Sequence, residues 1–344
     1  MRTPAFAIEV DGVGIDRPLI EAEMNDSMID DGGSARRSDL PLRIAVDWGT
    51  SRFRAHLITA DGRRLADVAS DEGMSRVESG GFEAVLTRMC GGWLAAHPGV
   101  PVLMAGMVGS RNGWREVPYV SCPAGIDEIA AGMTSFEIAG GTRVSIVPGL
   151  VVVDDASDVM RGEETQILGT GRDDAVVVLP GTHSKWATLR NGRIEGFRTY
   201  MTGEVYGLLT RQSVLRLLGA PPIDGEAERI AFGRGLAAAT AGGGLLNRAF
   251  HARAEVLTGR MAAEDVEPYV SGLLIGAEVA EARRVVPADL PIVLVAGGVV
   301  CRNYRAAIEA TGGPIEVIDP EDAFVDGLVR IARYTEDRID VGRR

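Results

Sequence analysis

Lys185 is the only lysine in a chain of 344 residues, and it lies in the stretch LPGTHSKW, residues 179–186. An ammonium is a compact point charge that approaches a phosphate oxygen without the planar, two-pronged geometry of a guanidinium. A second Gly-Thr turn, Gly49-Thr50-Ser51, follows Asp47 in VDWGTS. Turns of this kind present backbone N–H groups and hydroxyls as a concave nest for anionic oxygens. Gly49, Thr50 and Ser51 on one side, with Gly181, Thr182, His183, Ser184 and Lys185 on the other, are the two halves of a polyphosphate clamp. Either turn alone is an ordinary hairpin loop. The pairing, the acidic residue and the lone lysine together favour phosphate.

Three further features bear on the same chemistry. Asp47, a carboxylate at a strand end, suits Mg2+, which takes few protein oxygens and keeps waters beside phosphates; its structural alternative is a turn former. Gly297-Gly298, after the apolar run PIVLVA, removes side chains where a flat group such as adenine can lie against the backbone. It lacks the third glycine of the dinucleotide pattern. Glu163 and Glu164 open a helical stretch, EETQILG. Neighbours on a helix differ by about 100° in direction, so only one faces a given cleft and can take a proton from an attacking hydroxyl. Stabilisation of a helix amino terminus explains both carboxylates equally well.

Composition bounds the partners. The formal charge of −12 argues against general nucleic-acid binding and against anionic membranes. Cys90, Cys122 and Cys301 show neither metal-ligand spacing nor a disulfide framework, which suits a reducing compartment. No apolar run reaches membrane-spanning length and the amino terminus lacks the pattern of a secretion signal, so the expected location is the cytoplasm.

The elements that must position these residues are α/β in character. Residues 1–40 hold nine acidic and four basic residues without apolar periodicity and are expected to be a disordered leader. From residue 43, RIAVDW, RFRAHLITA and RRLADVAS form a three-strand meander whose second turn is Asp61-Gly62. The same grammar returns at residue 175 in AVVVLP, KWATLR and RIEGFRTYM, with Asn191-Gly192 as the turn. Two such units, each followed by helical sequence, imply a duplicated α/β architecture. FEAVLTRMCGGWLAAH is expected to be a helix bent or ended by its glycine pair. GEVYGLLTRQSVLRLLG is expected to be one helix capped by Thr202 and stopped by Gly219. EPYVSGLLIGAEVAEARRVV is a helix with a small face of Gly272, Gly276 and Ala280, and DAFVDGLVRIARY is the last helix. The domains are placed at 41–170 and 171–344, with the last helix packing back on the first.

The blocks VDWGTSRFRA, MAGMVGSRNGWREVPYVSCPAG, VMRGEETQILG, LPGTHSKW, TYMTGEVYGLL and SGLLIGAEVA resemble those of the 2-dehydro-3-deoxygalactonokinases, sugar-acid kinases of the actin, Hsp70 and hexokinase superfamily. The resemblance spans residues 43–335. It implies two ribonuclease-H-like domains closing on a central cleft, and transfer of the ATP γ-phosphoryl group, with Mg2+, to the 6-hydroxyl of 2-dehydro-3-deoxy-D-galactonate in D-galactonate catabolism. It makes 47–51 and 181–185 the phosphate loops, brings Gly297 and Gly298 to the adenosine, and makes Glu163 or Glu164 the base, with Glu163 favoured. Lys185 and Mg2+ supply charge to the transferring group. The acceptor is itself anionic, which makes Arg111, Asn112, Trp114 and Arg161 the expected acceptor contacts; an exposed loop with a packed tryptophan is the structural alternative. The alternatives are a kinase for another 2-keto-3-deoxy acid, an aldonate or a sugar, and a non-metabolic actin-like ATP-binding switch. A homo-oligomer stays open.

Overall fold

The computed structural model describes residues 42–153, 156–218, 224–242 and 244–341. The expected leader, 1–40, and the expected helix stop, Gly219, lie outside the described residues. The first lobe opens on a meander: β1 (Leu42–Trp48), β2 (Phe53–Thr59) and β3 (Arg64–Ser70) pair antiparallel in sequence. Gly62, at φ +96°, supplies the left-handed residue of the β2–β3 turn. After α1 (Phe82–Ala96), β4 (Val102–Ala105) returns parallel to β1. β5 (Val120–Ser121), α2 (Ile126–Ala131) and β6 (Thr134–Glu137) lead to β7 (Arg143–Ile146), giving a sheet ordered β3-β2-β1-β4-β7-β6. β8 (Leu150–Val152) and β9 (Asp158–Met160) join β5 in a small sheet before α3 (Glu163–Gly169).

The second lobe repeats the plan. β10 (Ala175–Leu179), β11 (Ser184–Arg190) and β12 (Arg193–Tyr200) form the second meander. Its two-residue turn has Asn191 and Gly192 both at positive φ, the geometry that matches strand twist. The α-helices that follow among the described residues are α4 (Thr202–Gln212), α5 (Gly225–Thr240), α6 (Leu245–Leu257) and α7 (Val266–Val285). β13 (Ile292–Val295) then returns parallel to β10, and after α8 (Gly298–Glu309) comes β14 (Ile315–Ile318), completing the order β12-β11-β10-β13-β14. α9 (Pro320–Val341) ends the fold. β1 and β10 thus hold equivalent central places in two α/β lobes, as the repeated grammar predicts. No helix among the described residues is long and apolar enough to cross a membrane.

Both central strands are buried on two faces, which explains their unbroken apolar runs. Ile44, Val46 and Trp48 face one core with Phe82 and Leu86 of α1, while Ala45 faces the other way. That inner core is continuous with Val177 and Leu179 of β10, Ile167 of α3, and Phe324 and Leu328 of α9. Helices α3 and α9 therefore fill the space between the sheets, and Arg43 of β1 donates to Glu336 of α9.

The α3–α9 crossing is built on glycine. A methyl added at Gly327 would lie 1.9 Å from the carbonyl oxygen of Thr165, and one at Gly169 would lie 1.7 Å from that of Ala323. Gly327→Ala should therefore destabilise by at least the upper end of about 1–3 kcal/mol, read as a lowered urea midpoint. Gly233→Ala on α5, where the methyl meets open space, should be neutral or stabilising by up to about 1 kcal/mol.

Local expectations fare unevenly. α1 runs unbroken through Gly91-Gly92, because Phe82, Val85, Leu86 and Cys90 are buried along one face and hold it to the sheet. α4 ends early, at Gln212, where the Ser213 hydroxyl turns back to donate to the Leu209 carbonyl and a 3-10 turn, Val214–Leu218, follows. Thr202 is the first helical residue of α4 rather than its cap. Gly272 and Gly276 of α7 do pack closely, against Phe232, Leu236 and Ala239 of α5.

Candidate active site

The two lobes face one another across a cleft of about 1230 Å3. The turn after β1 brings Gly49 and Thr50 to its wall. It is pinned from behind: Gly49 N–H donates to the Arg52 carbonyl, and Ser75 N–H and Oγ both donate to the Thr50 carbonyl. Ser51 lies exposed on the same turn, away from the cleft wall. Asp47, just before it, accepts from Arg54 Nη2 at 2.6 Å through Oδ2 and keeps 22% of its side chain exposed.

The turn after β10 forms the facing wall with Gly181, Thr182 and His183. It rests on the start of α4, where Glu204 N–H donates to the Thr182 carbonyl at 3.0 Å. Gly203 allows that approach, since a β-carbon there would meet the Gly181 carbonyl oxygen at 2.4 Å. His183 is hydrogen-bonded to Glu204. Strand alternation then points Lys185 toward the cleft and turns Ser184 inward, fully buried behind it.

The paired glutamates at the start of α3 part company. Gly162, at φ +111°, passes close to Gly106, and the backbone N–H groups of Arg161 and Gly162 donate to Glu163 Oε2 and Glu164 Oε2 at 3.0 and 2.7 Å. Glu164 is fully buried and also accepts from the Thr165 hydroxyl. Burial first, and the neighbouring Glu163 charge second, push its pKa up to about 7. Glu163 instead keeps 28% of its side chain exposed to the cleft, with Oε1 3.9 Å from Lys185 Nζ. Burial raises its pKa; the Lys185 charge opposes that shift and the Asp47 charge reinforces it. Asp47, Glu163 and Lys185 thus share one electrostatic field.

A buried acid whose folded-state pKa is raised contributes stability that is complete below its unfolded value and is lost as pH rises through the folded one. For Glu164 that window runs from about 4.5 to about 7. Glu164→Gln should therefore flatten the stability loss between pH 5 and pH 8 by roughly 2–3 kcal/mol, measured by denaturant unfolding at both pH values.

Gly297 lines the far end of the cleft, and Gly298, at φ +59°, begins α8 beside it. Val299 and Val300 line the same end and are about half exposed, at 53% and 48%. Asn303 and Tyr304 of α8 and Pro268, Ser271 and Leu274 of α7 complete that wall. Sequence reasoning missed these residues. Two valines at the solvent-facing start of a helix, right after the glycine pair, were the available signal.

Of the four expected acceptor contacts, the structure brings only Arg161 to the cleft wall. Its side chain is nine-tenths buried, Nη2 donates to the Val117 carbonyl at 2.8 Å, and its guanidinium stacks 4.2 Å over the Tyr119 ring. Nε and Nη1 have no hydrogen-bond partner among the described residues. Arg111 and Asn112 are exposed and off the cleft wall. Trp114 is also off it, in an aromatic cluster that stacks it on Phe82 and sets it edge-on to Phe136 and Trp48. The packing of Trp114 has a simple cause: a large apolar ring in a loop gains more from burial among other rings than from an exposed hydrogen bond. Tyr119 and Met107, which the sequence did not single out, line the cleft in that region.

Among the described residues, no group of three or more His, Cys, Asp or Glu side chains is arranged to hold a metal ion. Mg2+ accompanying a nucleotide needs fewer protein ligands than that, because phosphates and waters fill its coordination shell. Asp47 and Glu163 fit such an ion electrostatically, since the charge of the first already disfavours ionisation of the second.

Two α/β lobes, each entered by a meander whose first turn faces a shared cleft, define the actin, Hsp70 and hexokinase class of ATP-using proteins. Within that class the chain belongs to the 2-keto-3-deoxy-galactonokinase family, whose model matches residues 47–331. It is 38% identical over 292 residues to the 2-dehydro-3-deoxygalactonokinase of Escherichia coli (strain K12), covering 84% of this chain and 97% of that one. A Sinorhizobium meliloti crystal structure provisionally assigned the same name superposes with a TM-score of 0.74 at 37% identity, covering 85% of this chain and 98% of the other.

Proposed function

We propose that the protein transfers the γ-phosphoryl group of ATP to the 6-hydroxyl of 2-dehydro-3-deoxy-D-galactonate. Family membership supports the donor and the acceptor class. The observation that carries the chemistry is Glu163 beside Lys185, 3.9 Å apart, between two turns of the kind that hold phosphates.

Phosphoryl transfer asks the protein chiefly to align donor and acceptor and to neutralise charge. Thr50 on one lobe, next to Gly49 whose own N–H is held by the Arg52 carbonyl, and Gly181 and Thr182 on the other hold the β- and γ-phosphates by their N–H groups. Val299, Val300 and Gly297 receive the adenosine. Arg161, whose Nε and Nη1 are unpaired among the described residues, is a cleft cation suited to the acceptor carboxylate once Tyr119 moves aside. Glu163 accepts the proton of the attacking hydroxyl as the new O–P bond forms and the bond to ADP breaks. A carboxylate with a raised pKa is a stronger base for this step. Lys185 neutralises the transferring oxygens. Asp47 would help hold Mg2+, directly or through water, and the ion would supply positive charge at the same phosphates.

ADP formation measured across 2-keto-3-deoxy acids, aldonates and hexoses tests the reading. Turnover that depends on the galactonate-derived keto acid supports it. Turnover with another acceptor alone, or slow hydrolysis indifferent to every acceptor, would replace it.

A further inference from the structure

Glu278 stands in the middle of α7, within GLLIGAEVAE, where every other nearby residue is small or apolar apart from Glu281. It is only 3% exposed. A buried carboxylate must be held by donors, and Glu278 has them on both oxygens. Trp186 Nε1 donates to Oε1 at 2.8 Å, and the Tyr304 hydroxyl donates to Oε2 at 2.7 Å. The Ser184 hydroxyl lies 2.8 Å from that of Tyr304. Because the Tyr304 proton is committed to an acceptor-only carboxylate, Ser184 is the donor in that pair. Burial raises the pKa of Glu278, and the Thr202 hydroxyl, with Tyr304, Trp186 and Ser184, opposes that shift.

These partners are not scattered. Ser184 and Trp186 flank Lys185 on β11, so alternation turns both toward α7 and α8 while Lys185 points to the opposite face. Thr202 immediately precedes Gly203, which packs against the Gly181–Thr182 turn, and Glu204, whose N–H donates to the Thr182 carbonyl. Tyr304 belongs to α8, beside the valines at the far end of the cleft. One carboxylate therefore joins the strand of the lysine, the seat of the second turn and the helix of the adenosine wall.

We propose that Glu278 is a positioning residue that fixes Lys185 and the Gly181–Thr182 turn in register with α8, and so sets the phosphates of the bound nucleotide relative to its base. This rests on the kinase reading above.

The test compares Glu278→Leu with Glu278→Gln. Glutamine can keep the Trp186 and Tyr304 arms: its oxygen accepts from Trp186, its amide donates to Tyr304, and Tyr304 turns its proton to Ser184, reversing that pair. Leucine breaks both arms. The leucine variant should lose about 10- to 100-fold in kcat/KM for ATP through both kcat and the ATP KM, as expected for misplaced reacting groups. The acceptor KM should stay unchanged, because Arg161 belongs to the other lobe, and Glu278→Gln should restore most of the loss. If Glu278→Leu does not fold, Tyr304→Phe, which removes one hydroxyl, should show the same split to a smaller degree. A loss that scales with folded fraction while both KM values hold would overturn the proposal, as would failure of glutamine to rescue.

Calorimetric binding of a non-hydrolysable ATP analogue, without acceptor, separates the two readings. If the native protein phosphorylates no 2-keto-3-deoxy acid but binds the analogue, the kinase reading fails. Weaker binding by Glu278→Leu but not Glu278→Gln would then still support the positioning role, and equal binding by all three would end it.

Discussion

Glu163→Gln should bind ATP as the native protein does, yet transfer its γ-phosphoryl group about 100- to 10,000-fold more slowly, the usual contribution of a positioned base. The amide cannot take the proton of the attacking hydroxyl, but it keeps the size of the carboxylate and can still accept the Arg161 N–H at Oε. Both kcat and kcat/KM should fall together, because the lost interaction exists only in the transition state. Glu164→Gln is the companion experiment. Glu164 is walled off from the cleft by full burial, so its amide variant should turn over within a few-fold of the native rate while changing the pH dependence of stability. Rates reversed between the two variants would move the base to the inner glutamate.

Lys185→Arg should lose about 100- to 1,000-fold in kcat, the scale of removing one well-placed charge donor, although formal charge is conserved. The lysine is enclosed, 4% exposed, at the base of the second turn, with Glu163 Oε1 3.9 Å from its ammonium. A guanidinium is wider and planar, and demands a fork of acceptors. In that space it would pair with Glu163 and hold the proposed base out of line. Lys185→Met should fail by a comparable factor for the opposite reason, by leaving the transferring oxygens without their charge. Wild-type turnover by the arginine variant would remove the point-charge argument.

What was legible in the sequence divides along physical lines. The two meanders carry their signals locally, in alternating strands and in Asp61-Gly62 and Asn191-Gly192, and the sheets reproduce that order. The facing turns were visible because backbone N–H groups need only glycine, threonine and a strand end to be presented. The roles of neighbouring residues depended on contacts distant in sequence. Whether Glu163 or Glu164 faces the cleft was undecidable from adjacency and is set by Gly162 and the packing around Thr165. The sequence left Trp114 open between a loop donor and a packed ring, because Phe82 and Phe136, which flank it, lie far away in the chain. Helices α5 and α6 went unseen because α5 meets α7 through Gly235 and Gly272 rather than through a clear apolar stripe. Glu278 was hidden for the related reason that a single charge in an apolar helix reads as an interruption until its donors are known.

The most direct measurement is a crystal structure with a non-hydrolysable ATP analogue and the acceptor bound. The account predicts the β- and γ-phosphates between Gly49-Thr50 and Gly181-Thr182, Lys185 Nζ within hydrogen-bond reach of a γ-oxygen, and Glu163 facing the acceptor hydroxyl. Phosphates bound elsewhere, or bound there with Lys185 and Glu163 still paired to each other and touching neither substrate, would contradict it.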